Sequence, residues 1–195
     1  MTAPRRPWAP FGIAPRVARH APTAWNVTKT LLQTAAMWAV FFVALPAAVF
    51  AAEDAAGFAD WRIDPAPWRT PAVAVFVVCG AVGVWCGMTF AALGDGTPLP
   101  LDTVRKLVIA GPYRHVRNPM AFASIVQGGA VALWLGSPAV AVYVLLGLAV
   151  WNWGARPWEE ADLAQRFGEP YERYRRNVAC WRVRFRPYRP EDGAD

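Results

Sequence analysis

Two short polar stretches hold most of the side chains able to do chemistry. Glu159, Glu160 and Asp162 follow Arg156-Pro157-Trp158, and Arg114, His115 and Arg117 stand within the run GPYRHVRNPM at 111–120. Paired carboxylates at the end of a long apolar run are costly unless they face water, cations or a ligand. Arg117 directly precedes Asn118-Pro119, where Asn suits a helix N-cap and Pro the first helical turn. An arginine beside the N–H groups of a helix start holds carboxylates or phosphates. His115 is the one side chain of this loop suited to proton transfer near pH 7. Each stretch also has a plainer reading. The basic residues can anchor the loop to lipid phosphates, and the acids can complement the macrodipole of a helix starting at Pro157, with Arg156 pairing to Glu160 at i, i+4.

The elements that position these stretches are apolar. Residues of the AVILMFWYC set make up 55% of the 195-residue chain and charged residues 17%, with mean hydropathy +0.20 and eleven Trp. A soluble domain carries about 25% charge, so the composition describes a membrane protein and excludes disorder, a disulfide scaffold and a fibre. No Asp, Glu, Lys or Arg occurs in 30–52, in 70–94 or in 118–155. The first two runs suffice for one crossing each, and the third is long enough for two, divided at Gly136-Ser137-Pro138. The chain is therefore expected to be all-α and polytopic, with four transmembrane helices near 30–52, 71–93, 119–135 and 138–156.

Lysine and arginine bias sets the expected orientation. Arg5, Arg6, Arg16, Arg19 and Lys29 precede the first span, whereas Glu53, Asp54, Asp60 and Asp64 outnumber Arg62 and Arg69 after it. Both termini and the loop at 94–118 are thus expected on the cytoplasmic side, in an inner membrane if the source is bacterial. The net charge of +6 reads as topology and attraction to anionic lipid, not as nucleic-acid binding. The first apolar run is too long for a cleaved leader and three further spans follow. After the last span, Leu163, Phe167, Tyr171, Tyr174 and Val178 form an amphipathic stripe, broken at Gly168 and expected to lie in the interface plane beneath the bundle. Trp151, Trp153 and Trp158 read as an inner aromatic belt, Trp61 and Trp68 as an outer one. Cys79, Cys86 and Cys180 read as packing residues without a metal or redox motif. One domain, 1–195, is expected: a cytoplasmic segment 1–29, two spans within 30–93, a catalytic core 94–187 and a tail 188–195.

From about Gly96 to Pro187 the chain resembles the integral-membrane methyltransferase superfamily of isoprenylcysteine carboxyl methyltransferases and phosphatidylethanolamine N-methyltransferases. The resemblance rests on Gly111 and Tyr113, Arg117-Asn118-Pro119 entering a helix, a helical hairpin, Glu159-Glu160, and Phe167-Gly168 with Tyr171 and Tyr174, in that order and spacing. It implies S-adenosylmethionine as methyl donor and a lipid or lipidated acceptor, with membrane lipids as partners. It also implies a cofactor site of Tyr113, Arg117, Asn118, Pro119, Glu159, Glu160, Tyr171 and Tyr174; the catalytic residues expected are Arg117, Glu160 and, as the base for an ammonium acceptor, His115. Ala121 and Ala123 depart from the family's usual Tyr and Gly, and Phe122 is the neighbouring aromatic that can fill the first gap. Two other readings stay open. One is an NADPH-dependent membrane reductase of the sterol-reductase type, disfavoured because carboxylates repel a polyanion. The other is a non-catalytic protein of the same fold.

Overall fold

A computed structural model describes residues 17–97 and 103–190. Arg5, Arg6 and Arg16 of the basic leader, positions 98–102 of the central loop and the last five residues of the tail lie outside the described residues. Five helices carry the architecture: α1 (Thr23–Ala55), α2 (Ala66–Leu93), α3 (Pro119–Leu135), α4 (Pro138–Phe167) and α5 (Glu169–Asn177). Among the described residues the only β pairing is isolated bridges at Val17, Thr97 and Thr103.

α1, α2 and α4 are each long and apolar enough to cross a membrane. The four expected crossings are met by three helices of that length. α3 has 17 residues, a rise of about 25 Å against a hydrocarbon core of about 30 Å. Its ends are fixed by Pro119 and by the left-handed Gly136 at φ 67°. The other helices run past the expected limits, α1 starting at Thr23 and α4 continuing to Phe167. Charges mark where hydrocarbon must stop, but Lys, Glu and Arg are good helix formers, so the helices do not stop with it.

Two wide, π-type turns interrupt the long helices, at Ala39–Ala44 in α1 and Trp151–Ala155 in α4. Pro46 and Pro157 stand two residues after the ends of these turns. A proline lacks the N–H for the i−4 carbonyl and its ring crowds that carbonyl, so the preceding turn widens. Pro157 therefore sits inside a continuous helix and does not start one. Glu159 and Glu160 face no free helix N-terminus, and the macrodipole account of these acids fails.

The α3–α4 hairpin tip is tied down by an acid that the sequence placed in an exposed loop. Glu53 is 5% exposed. Its carboxylate accepts from Ser137 Oγ at 2.7 Å, Arg62 Nε at 2.9 Å and the Ala139 N–H at 3.2 Å. Ser137 Oγ in turn accepts from the Val140 N–H at 3.1 Å, capping α4. At the other end of the bundle, Gly168 (φ 57°) turns the chain from α4 into α5. The predicted stripe then faces protein: Tyr171, Tyr174 and Val178 are buried with Tyr188, against Leu107, Ile109, Leu163 and Phe167. Tyr188, assigned to a tail by the sequence, is 2% exposed.

Candidate functional site

The site forms where the loop before α3 is stitched to the C-terminal segment. The Arg117 N–H donates to the Ala179 carbonyl at 2.9 Å, the Arg184 N–H to His115 at 2.8 Å and the Tyr188 N–H to Arg114 at 2.9 Å. Tyr174 Oη donates to the Tyr113 carbonyl at 2.7 Å. From α4, Arg166 donates to Thr103 Oγ1 and the Val104 carbonyl, each at 2.6 Å. The two polar stretches of the sequence thus become one surface.

At its centre the two carboxylates differ. Glu160 Oε1 accepts from Arg117 Nη2 at 2.8 Å, with Arg156 at 3.9 Å and Arg175 at 4.0 Å. Arg117 Nη1 donates to the carbonyls of Arg175 at 2.9 Å and Val178 at 3.2 Å. Both side chains are largely covered, at 11% and 15% exposure. The pairing anticipated with Arg156 is present but long, and Arg117 takes the close position. Glu159 has no hydrogen bond or ion pair to any described residue and sits half-buried in a cavity wall. Two buried donors on the same cavity wall also lack partners, Arg117 Nε and Tyr171 Oη. The site therefore presents one uncompensated carboxylate together with two unused donors.

That cavity has a volume of about 560 Å³ and two chemically distinct ends. Tyr113, Arg117, Asn118, Glu159, Tyr171 and Tyr174 line the polar end. Met37, Trp38, Phe41 and Phe42 of α1 face Val144, Gly147 and Leu148 of α4 across the apolar end. Burial pushes the ionisation of Tyr113, Tyr171 and Tyr174 well above the usual tyrosine range, so all three phenols stay neutral. Tyr113 packs edge-on against Phe90 at 4.7 Å and contacts the Cys86 thiol, which holds the loop on α2.

Other expected residues fall differently. Pro119 occupies the first turn of α3, buried beside the cavity, whereas Asn118 holds the N-cap position without a side-chain capping bond. His115 does not line the cavity, and its Nδ1 donates to the Arg184 carbonyl at 2.8 Å. Ala121 lines the cavity, but Phe122 turns to the far side of α3, onto an outer groove with Val126, Leu145 and Trp153. Adjacent helical positions diverge by about 100°, so Phe122 does not stand in for the missing Tyr. Trp158, read as a belt residue, lines the cavity, as does Arg166. Neither belongs to a motif; their place on the Glu159 turn and about two turns beyond is the only signal in the sequence.

A polytopic helical membrane protein with a charged pocket that opens into an apolar wedge is the class these features define. A family model described as phospholipid methyltransferase matches residues 71–170, just over half of the chain, and the chain belongs to that family. No curated protein and no solved structure matches it. The matched region takes in nearly all of α2, which the sequence resemblance left out, and ends just before Tyr171. α2 carries Phe90 and Cys86 against Tyr113, so it is part of what holds the site.

Proposed function

We propose that the protein transfers a methyl group from S-adenosylmethionine to a lipid or lipidated small-molecule acceptor, either a phospholipid amine or a prenylcysteine-type carboxylate. In this reading α3 and α4 insert as a hairpin, giving four crossings, and both termini lie on the cytoplasmic side with the site.

The observation that carries the proposal is the uncompensated Glu159 carboxylate beside the unused donors Arg117 Nε and Tyr171 Oη. S-adenosylmethionine bears a sulfonium, an ammonium and a carboxylate, and this donor set is complementary to such a group. Glu159 offsets positive charge, while Arg117 and Tyr171 donate to the carboxylate. Glu160 acts through Arg117, holding the guanidinium in place. Tyr113, Asn118 and Tyr174 complete the wall, and Pro119 starts the helix behind them. The cofactor, when bound, supplies an electrophilic methyl group. What the chain contributes is alignment of donor and acceptor at about 3 to 3.5 Å with water excluded. The apolar wedge between α1 and α4 admits the acceptor's hydrocarbon from the side.

NADPH fits poorly, because its phosphates would face Glu159. Calorimetric titration of the detergent-purified protein with S-adenosylhomocysteine and, separately, NADPH tests the reading. Binding of the former alone is expected. Binding of NADPH alone would transfer the protein to the reductases, and binding of neither would leave a non-catalytic member of the family.

A further inference from the structure

α1 lies outside the residues matched to the family, yet it supplies one wall of the cavity. On that wall Thr30 and Gln33 are polar residues in an apolar helix. Thr30 is 2% exposed and its Oγ1 has no hydrogen-bond partner, and Gln33 Oε1 is likewise buried without one. A helical threonine normally returns its hydroxyl to the carbonyl four residues back. Thr28 does so, donating to Ala24 at 2.9 Å, whereas Thr30 does not. A buried polar atom without a partner carries a desolvation cost that a ligand can relieve.

Position along the helix indicates the kind of ligand. Thr30, Gln33 and Thr34 come first, at the end of α1 nearest the site, followed by Met37, Trp38, Phe41 and Phe42 over a rise of about 18 Å. That order, polar and then apolar along the membrane direction, matches a lipid with its headgroup level with Thr30 and its chains in the wedge. The Gln33 amide has an acceptor end and a donor end, and the Thr30 hydroxyl can donate or accept, so their complement is a polar headgroup of the ligand.

We propose that Thr30 and Gln33 read the headgroup of the methyl acceptor. The proposal rests on the methyltransferase reading above and names specificity-determining residues outside its cofactor pocket. Close packing bounds the site. A Cβ placed on Gly87 of α2 would come within 2.8 Å of Thr30 Cγ2, so Thr30 cannot swing away from its position toward α2.

The test uses the full-length protein with phosphatidylcholine vesicles containing phosphatidylethanolamine, in parallel with a soluble prenylcysteine. Thr30→Val and Gln33→Leu keep the shape and remove the polar atom, and Thr30→Ser restores the hydroxyl. The expected result is that KM for whichever acceptor is methylated rises about tenfold in the first two variants and is restored in Thr30→Ser, a loss of the size of one hydrogen bond to a charged group. The Kd for S-adenosylhomocysteine should not move. An unchanged KM, or a loss that tracks cofactor affinity, would overturn the proposal while leaving the methyltransferase reading intact. Wild-type protein that binds no S-adenosylhomocysteine would remove that reading, and this proposal with it.

Discussion

Arg117 and Glu160 stand 43 residues apart in the chain and meet at 2.8 Å. The contact joins the loop before α3 to α4, and Arg117 extends it to α5 through the carbonyls of Arg175 and Val178. Both charges are mostly covered, so removing one strands the other in a poorly solvated place. Glu160→Gln is expected to cost about 3 kcal/mol. The check is thermal unfolding in detergent, where the midpoint should fall by several degrees. A midpoint equal to wild type would mean that the pair is solvated.

His115 is held by its neighbours rather than presented to the cavity. Its Nδ1 donates to the Arg184 carbonyl, and its own carbonyl accepts from the Arg184 N–H. His115→Ala should therefore cost about 1 kcal/mol of stability and leave kcat for methyl transfer unchanged. A fall in kcat of about a hundredfold or more, with cofactor affinity retained, would make His115 a proton-transfer residue instead.

Burial raises the ionisation of Tyr113, Tyr171 and Tyr174, and the sign of the consequence is fixed. The folded protein keeps protons that the unfolded chain releases near pH 10, so their contribution to stability is constant below about pH 10 and declines above it. The melting midpoint measured across the alkaline range should bend downward there. Phenolate absorbance from these three residues, isolated by Tyr→Phe substitution, should appear together with unfolding. Phenolates titrating near pH 10 in the folded protein would contradict the burial.

At the far end of the bundle, Ser137 donates to Glu53 and caps α4 at once. Ser137→Ala is expected to cost about 1 to 2 kcal/mol, seen as a lower melting midpoint. Transfer by the folded fraction should not change, because neither residue lines the cavity.

The grouping of motif residues was easier to read from the sequence than the helix ends. Glu159-Glu160, Arg117-Asn118-Pro119 and Tyr171 with Tyr174 were legible because each is a compact motif, and all of these residues except Pro119 line one cavity. Which carboxylate is free was not legible, since it depends on Arg117 arriving from 43 residues away. Nothing local distinguishes Glu53 from the exposed acids Asp54, Asp60 and Asp64; only the hairpin tip folding over it buries it. The same holds for Thr30 and Gln33, whose neighbours in sequence are those of an ordinary apolar span. Pro157 read as a helix start because prolines favour that position, and the wide turn at Trp151–Ala155 is what lets the helix absorb it.

The central claim is that the Glu159 carboxylate offsets the positive charge of S-adenosylmethionine. The most direct test is the Kd of S-adenosylmethionine measured by calorimetry for wild type and Glu159→Gln, with thermal unfolding as a control. The account predicts binding to wild type, affinity at least about tenfold weaker in the variant, and a melting midpoint no lower than that of wild type, because Glu159 has no ion-pair partner to strand among the described residues. Equal affinity in the two proteins would contradict it.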